Sequence, residues 1–268
     1  MPTDTVRHLS SPPSPGAWNM ALDEALMASA GRGVVTLRFY GWYPPCLSFG
    51  RNQAAKGRYD PEAARGRGID VVRRPTGGRA VLHHREITYS VTAPAGLWGG
   101  LRACYGRINR GLARGLAEVG VPLDSVATVE SGRAGTLGAP APLARACFRD
   151  PLPGELTSGG RKLVGSAQCR VDGALLQHGS ILIHDDQSEV DTLLVTPPAG
   201  GALPSGACSI HELLGRVPPR EELVGALAAG FAEEFEVRLE PGEPDPSEQR
   251  AARSLEARYL DPEWTWRR

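Results

Sequence analysis

The most informative segment of the chain is Arg73-Arg74-Pro75-Thr76-Gly77-Gly78-Arg79-Ala80. Two glycines after a proline let a backbone pass close to a ligand, because glycine carries no side chain and tolerates positive φ angles. Backbone amides exposed in such a turn can face an anion or a carbonyl oxygen. A Gly-Gly hairpin with solvated arginines would explain the same residues, so the segment alone leaves both interpretations open. A nucleotide-binding P-loop is excluded, because Gly-x-x-x-x-Gly-Lys-Ser/Thr occurs nowhere in the chain.

Short strands and helices surround this segment. Apolar residues at steps of three or four predict helices over residues 18–30, 61–66, 101–119, 220–235 and 246–260. Alternating or β-branched runs predict strands over residues 34–40, 46–50, 69–74, 163–167 and 174–183. Residues 79–91 predict two further strands that turn around residues 83–86. Neighbouring strand pairs with helices between them favour an α+β fold.

Composition limits the classes of partner and the location. The chain has 268 residues, 30 basic and 30 acidic side chains and no formal net charge, which gives no broad electrostatic reason to bind nucleic acid. Residues 1–16 contain no continuous apolar segment, so we expect no secretory signal and a cytoplasmic location. The longest uncharged run, residues 192–210, holds prolines and glycines that would break a membrane helix, so we expect a loop and no membrane partner. Residues 121–145 lack periodicity, and we expect a long excursion over the surface.

The cysteines and histidines do not form a metal site by spacing. Five cysteines, an odd set without any Cys-x-x-Cys pair, argue against a disulfide framework and a structural zinc. Neither His-Glu-x-x-His nor another close ligand spacing occurs, so we expect no metal and assign the histidines structural or substrate-positioning roles. A serine-hydrolase elbow, Gly-x-Ser-x-Gly, is also absent.

One thiol and one amine stand out as a reactive pair. Cys147 follows the long excursion, and Lys162 lies in the glycine-flanked segment 160–168. A neighbouring ammonium lowers the pKa of a thiol and so favours the nucleophilic thiolate. Only two of the 30 basic residues are lysines, and an arginine cannot be tuned in the same way. A buried inert cysteine beside an ordinary surface lysine remains the alternative.

Five segments taken together resemble the biotin and lipoate protein ligase superfamily, and within it the cofactor-independent octanoyltransferases that act on the glycine cleavage H protein. The segments are AWNMALDEAL (17–26), LRFY (37–40), RRPTGGRAVLH (73–83), GRKLVGSAQ (160–168) and LQHGSIL (176–182). The resemblance implies a mixed, largely antiparallel sheet flanked by helices. It implies a catalytic domain over residues 17–240, with an N-terminal extension over 1–16 and a C-terminal helical extension over 241–268.

The resemblance also implies a mechanism without a cofactor. Cys147 matches the cysteine that carries the acyl thioester, and Lys162 matches the lysine that lowers its pKa. The donor would be octanoyl-acyl carrier protein, and the acceptor a lysine of the glycine cleavage H protein or of a lipoyl domain. Because carrier proteins are usually acidic, Arg73, Arg74 and Arg79 are the expected contacts for the donor. The implied substrate-binding residues are Arg73, Arg74, Thr76, Gly77, Gly78, Arg79, Ala80, His83, Gly165, Ser166, Gln168, His178 and Gly179.

Two departures separate the chain from the ATP-dependent lipoate ligases of the same superfamily. Arg79 stands where those ligases typically have a third glycine, and His84-Arg85-Glu86 stands where they have Asp-Gly-Asn. His84 also departs from the aspartate usual in the octanoyltransferases. Three alternatives therefore stay open beside octanoyl transfer: an ATP-dependent lipoate-protein ligase, an amidotransferase that moves octanoyl from the H protein to lipoyl domains, and a non-enzymatic module that binds acyl groups or lipoyl domains.

Overall fold

A computed structural model describes residues 4–124, 148 and 154–268 of the chain. Seven helices lie in these ranges: α1 Gly16–Ala30, α2 Pro61–Gly66, α3 Leu101–Glu118, α4 Ile210–Leu214, α5 Arg220–Phe235, α6 Pro246–Leu260 and α7 Pro262–Thr265. The same ranges hold ten strands: β1 Thr5–Ser10, β2 Thr36–Tyr40, β3 Cys46–Phe49, β4 Asp70–Arg73, β5 Val81–His83, β6 Glu86–Pro94, β7 Leu156–Ser158, β8 Arg161–Val171, β9 Ala174–Leu182 and β10 Arg238–Pro241. A 3-10 helix spans Gln187–Leu193.

The strands form one large and one small sheet. The large sheet has seven strands in the order β10-β1-β2-β6-β9-β8-β7, and the small one has three in the order β4-β3-β5. In the large sheet β1 runs parallel to β2 and β10, and the other neighbours are antiparallel. Asp172 and Gly173, both with positive φ, close the β8–β9 hairpin, as a tight hairpin turn requires. The predicted α+β class with a mixed, largely antiparallel sheet is therefore confirmed.

The two strands predicted within residues 79–91 exist, but they do not pair with each other. His83 at the end of β5 pairs with Cys46 in the small sheet, whereas Glu86 at the start of β6 pairs with Leu182 in the large one. The turn that we expected between two paired strands is therefore the point where the chain crosses from one sheet to the other. Sequence alternation identifies a strand but not its partner, which explains the difference.

Helices cover both faces of the large sheet. Helices α3 and α5 pack against one face, where Leu112, Leu116 and Phe231 join the main hydrophobic core. These two helices approach closely because Gly115 faces the backbone of Leu227, where an added Cβ would lie only 2.5 Å from the Leu227 Cα. Helix α1 covers the other face, with α6 packed outside it. The site described below lies between α1, the large sheet and the small sheet.

The expected domain boundaries stay predictions. The expected surface excursion over residues 121–145 also stays a prediction, because residues 125–145 lie outside the described ranges. Strand β1, within the expected N-terminal extension, is hydrogen-bonded between β10 and β2. Helix α6, within the expected C-terminal extension, packs against α1. Across the described ranges, every helix is too short or too polar to cross a bilayer.

Candidate active site

The candidate site is a pocket on the α1 face of the large sheet. Strand register places one row of residues side by side across four strands: Tyr40, Thr88, Ser180 and Gly165. The next row on the same face is Arg38, Ser90, His178 and Ala167. A pocket that encloses about 430 Å³ when its open mouth is included lies above these rows. Its lining residues are Met20, Tyr40, Trp42, Arg74, Gly78, Val81, His83, Thr88, Gly165, Ser166, Ala167, His178, Gly179 and Ser180.

A buried lysine lies behind the β8 wall of the pocket. Lys162 Nζ donates to Glu155 Oε1 at 2.7 Å, and the two side chains are only 1% and 3% exposed. The same Nζ lies 5.0 Å from the centroid of the Phe148 ring. A buried ammonium needs such a paired and polarisable environment, because removing an unpaired charge from water is very costly. The lysine singled out in the sequence is therefore a buried, paired cation and not an ordinary surface residue.

Gly165 leaves space for this arrangement. A Cβ added to Gly165 would lie 2.7 Å from the Phe148 ring and 3.3 Å from Lys162 Cε. Because the backbone of Gly165 also lines the pocket, the Phe148 ring and the lysine stem adjoin the pocket wall. Cys147, which the chain bonds directly to Phe148, lies outside the described residues.

The loop from Arg74 to Gly78 lies over the pocket, and its arginines are used internally. Arg74, which is 5% exposed, donates to Ser48 Oγ at 2.9 Å and to the carbonyls of Gly77 and Arg79. Arg73 is fully buried and donates to the carbonyls of Gly50, Gln53 and Thr265. Both guanidinium groups therefore hold the loops around the pocket together and do not form the exposed donor contact expected for them. Arg79 is half-buried.

A hydroxyl, an imidazole and a carboxylate hold this loop from below. Thr76 Oγ1 lies 2.7 Å from His178 Nε2, and His178 Nδ1 lies 3.2 Å from Asp23 Oδ2. Burial lowers the pKa of His178, and the opposing effect of Asp23 is smaller, so the ring is neutral near pH 7. Because the carboxylate can only accept, Nδ1 carries the proton and Nε2 accepts from the Thr76 hydroxyl.

Asp23 is itself held in the charged form. Burial alone would raise its pKa, but the hydrogen bond from His178 and the charge of Arg38 lower it below the usual value. Arg38 Nη1 donates to Asp23 Oδ1 at 2.8 Å, and both side chains are fully buried. The hydroxyls of Tyr40 and Ser90 donate to the same carboxylate. Asp23 is therefore the centre of the polar network below the pocket.

A second chain of the same kind lies beside the first. Ser48 Oγ lies 2.7 Å from His83 Nε2, and His83 Nδ1 lies 2.9 Å from Glu86 Oε1. Because Arg74 can only donate to Ser48 Oγ, the Ser48 hydroxyl proton is available for His83 Nε2. The Trp42 ring stacks on His83 with centroids 4.0 Å apart. The two histidines, 95 positions apart in the sequence, thus fix one loop at two points: His83 through Ser48 and Arg74, and His178 through Thr76.

The other expected substrate-binding residues divide between the pocket and its surroundings. Gly78, Ser166 and Gly179 line the pocket, and Gly77 is exposed beside it. Ala80 belongs to the separate core under the small sheet. Gln168 bonds to the Leu101 carbonyl at the start of α3, on the opposite face of the large sheet. His84 is half-exposed beside Asp186, outside the pocket lining.

Sequence reasoning assigned no role to three residues that build the site. Asp23 was one residue of a matching segment, and a charge inside an otherwise apolar helix pattern is the signal that could have singled it out. Glu86 follows His83 by three positions, a weak signal of contact across a turn. Nothing in the sequence distinguishes Glu155, because its approach to Lys162 depends on the pairing of β7 with β8.

Comparisons with known proteins show the family of the chain. Residues 15–232 match the lipoyl protein ligase A/B catalytic domain family. The octanoyltransferase LipM of Kyrpidia tusciae is 42% identical, with 98% of this chain and 99% of the relative covered. The octanoyltransferase LipM of Symbiobacterium thermophilum is 42% identical, with 95% of each chain covered.

Solved structures share the fold. A lipoate-protein ligase A bound with ATP has a TM-score of 0.78 at 22% identity, with 98% of each chain covered. An archaeal bipartite lipoate protein ligase from Thermoplasma acidophilum, described together with its E2 lipoyl domain, has a TM-score of 0.75 at 22% identity, covering 98% of this chain and 96% of that one.

The full-length relatives also establish the class of activity. The chain is an enzyme of protein lipoylation that transfers octanoyl groups, which confirms the acyltransferase expectation. The chain belongs to the lipoyl protein ligase A/B catalytic domain family.

Proposed function

We propose that this enzyme moves an octanoyl group from acyl carrier protein to a thioester on Cys147, and from there to a lysine of the glycine cleavage H protein or of a lipoyl domain. The observation that carries the proposal is the buried ammonium of Lys162 behind the β8 wall of the pocket, in contact with the ring of Phe148. Phe148 is the chain neighbour of Cys147, and this covalent link supports the assignment of Cys147 as the thiol that acts with the amine.

The reaction proceeds through two exchanges. The Cys147 thiolate attacks the carbonyl carbon of the octanoyl thioester, and the carrier leaves as a thiolate that takes up a proton. The neutral amine of the acceptor lysine then attacks the new thioester, Cys147 leaves as a thiolate, and the amine proton is released as the amide forms. The first step exchanges one thioester for another and the second is downhill, so neither step needs ATP.

The described residues supply the surroundings of these steps. The charge of Lys162 stabilises the thiolate and the negative oxygen of each tetrahedral intermediate, and the amides of Gly77 and Gly78 adjoin the pocket as further donors. Met20, Trp42 and Val81 give the pocket an apolar lining. Burying an eight-carbon tail against such residues contributes on the order of 5 kcal/mol, at ~0.8 kcal/mol per methylene.

The proposal is tested by intact-mass measurement of the purified enzyme after incubation with octanoyl-loaded carrier and no nucleotide. We expect an octanoyl adduct that hydroxylamine removes and that is absent in Cys147→Ser. Cys169→Ser is the matched control, because burial raises the pKa of the half-buried Cys169 thiol to about 11. An adduct that persists in Cys147→Ser, or transfer that requires ATP and survives Cys147→Ala, would overturn the proposal.

A further inference from the structure

A group of exposed cations lies on one edge of the molecule, next to the pocket loop. We call it the basic edge, and its members are Arg51, Lys56, Arg267 and Arg268. Three hydrogen bonds bring its two segments together. Arg267 Nη2 donates to the Arg51 carbonyl at 2.9 Å, and a main-chain oxygen of Arg268 accepts from the Ala55 and Lys56 amides at 2.7 and 2.6 Å.

Within the described part of the chain, side-chain carboxylates do not pair with the cations of this edge. Elsewhere on the surface, arginines such as Arg114, Arg161 and Arg238 form ion pairs with glutamates. No ion pair forms at the four cations of the basic edge among the residues that the structure describes. Burial lowers the pKa of Arg267, and the charges of Arg268 and Arg51 lower it further. Positive charge is therefore concentrated here in a chain whose formal net charge is zero.

The basic edge is joined directly to the pocket loop. The Arg51 amide donates to the Thr76 carbonyl at 2.8 Å. Gly50 lies so close to Gly78 that an added Cβ would be 2.0 Å from the Gly78 carbonyl oxygen. Gly78 lines the pocket. A macromolecule bound at the basic edge would therefore hold its own reactive group close to the pocket.

We propose that the basic edge is the docking surface for the acidic carrier protein that delivers the octanoyl thioester, an inference that rests on the proposed function. The charged groups are exposed and spread over two segments, which suits the acidic face of a protein better than a small anion, which needs converging donors. The donor fits better than the acceptor, because a positive surface repels the protonated amine that an acceptor lysine carries before it reacts. Arg73 and Arg74, which the sequence suggested as contacts for the donor, are buried. We therefore assign this contact to the four residues of the basic edge.

The test variant is Arg51→Glu/Lys56→Glu/Arg268→Glu. These three side chains make no hydrogen bond or ion pair with any described residue, so the reversal leaves the fold intact. Arg102→Glu/Arg250→Glu/Arg253→Glu is the matched control, with the same change in net charge at exposed positions on α3 and α6. Each protein is assayed for acyl-enzyme formation with octanoyl-loaded acidic carrier and with octanoyl-N-acetylcysteamine, a thioester without a protein.

We expect the KM for the carrier to rise about tenfold or more in the test variant, with kcat unchanged and with the salt dependence of kcat/KM largely lost. The control variant and the reaction with the small thioester should match the unaltered enzyme. An equal KM in the test and control variants would overturn the docking proposal, as would a rise in KM for the acceptor protein alone. If neither donor acylates the unaltered enzyme, the proposed function itself is wrong, and this outcome is distinct from a failure of docking.

Discussion

Two buried ion pairs lie on either side of the pocket, and they differ in the cation. Arg38 pairs with Asp23 below the pocket, and Lys162 pairs with Glu155 behind its β8 wall, with N–O distances of 2.8 and 2.7 Å. Both pairs are almost completely buried. An arginine stays charged in any protein environment, whereas a buried lysine can gain or lose its proton. The position of each pair and the type of its cation indicate that the Arg38–Asp23 pair stabilises the fold and that the Lys162–Glu155 pair takes part in the chemistry.

Their surroundings support the same distinction. Asp23 accepts from Arg38, Tyr40, Ser90 and His178, so its carboxylate is fixed from four directions. Lys162 adjoins Gly165, which lines the open pocket, and the Phe148 ring. We therefore expect changes at the first pair to reduce stability and changes at the second to reduce catalysis, and the following predictions test that difference.

Lys162→Met should give the largest effect, a loss of acyl-enzyme formation of about 1,000-fold, because the thiolate loses its neighbouring charge. The variant also removes the Lys162 ammonium from beside the buried Glu155 carboxylate, so it should be compared with Lys162→Met/Glu155→Gln. The double variant should regain stability but not activity, as measured by urea unfolding and by the rate of adduct formation. Recovery of activity in the double variant would show that the lysine acts only through stability.

Asp23→Asn should lower the free energy of unfolding by about 3–5 kcal/mol, because it leaves the Arg38 guanidinium buried without a carboxylate. Urea unfolding measures this change, and the rate of acyl transfer per folded molecule should fall far less than in Lys162→Met. Glu62→Gln is the control, because it breaks an ion pair with Arg65 at the surface. The Glu62 and Arg65 side chains are 69% and 75% exposed, so this change should lower the free energy of unfolding by less than about 1 kcal/mol. Equal losses in the two variants would contradict a scaffolding role for Asp23.

Gly165→Ala should slow acyl-enzyme formation by about 10- to 100-fold, because the added Cβ displaces the Phe148 ring and misplaces the reacting groups. Gly66→Ala is the matched control, because an added Cβ meets nothing within 4 Å and the residue lies in α2. Stopped-flow acylation with excess donor measures the step directly. An unchanged rate in Gly165→Ala would separate Phe148 from the chemistry.

The smallest expected effect is a pH dependence that comes from His178. The pKa of this buried ring is below 6.5, so the unfolded chain binds more protons than the folded one between the two pKa values. The free energy of unfolding should therefore fall as pH drops below about 6.5, by at most about 1.4 kcal/mol per pH unit. Urea unfolding of the enzyme and of His178→Gln at several pH values measures the difference, because other histidines contribute equally to both. Parallel pH profiles would contradict the assigned neutral state.

Most helices could be predicted from the sequence, because the spacing of apolar residues and the flanking glycines and prolines act within each segment. Helices α1, α2, α5 and α6 end where the apolar spacing and the flanking glycines and prolines indicate, within two residues of the prediction. Strands β1, β7 and β10 were not predicted. Strand β7 has only three residues, too few for an alternating pattern to show. Strands β1 and β10 are short and partly exposed and depend on partners distant in the chain. For the same reason the sequence predicted β5 and β6 but not their separation into two sheets.

The sequence predicted which residues belong to the candidate site better than it predicted how those residues are arranged. The two histidines were assigned positioning roles from the sequence, and their hydrogen bonds agree with that assignment. The arginine pair 73–74 suggested a surface contact, because a sequence pattern does not show that a guanidinium is buried. Glu155 and Asp23 owe their importance to contacts across strands and helices, and such contacts follow only from the packed fold.

The hydrogen bond from Arg73 Nε to the Thr265 carbonyl joins residues 192 positions apart. Trp264 completes the connection by donating its indole N–H to the Arg73 carbonyl. A chain shortened before Trp264 would lose both hydrogen bonds. The Nε atom of the fully buried Arg73 guanidinium would then lack the acceptor that Thr265 provides. Removal of a few residues at the end of the chain would thus loosen the loop that covers the pocket, and we expect truncated variants to bind the substrate more weakly.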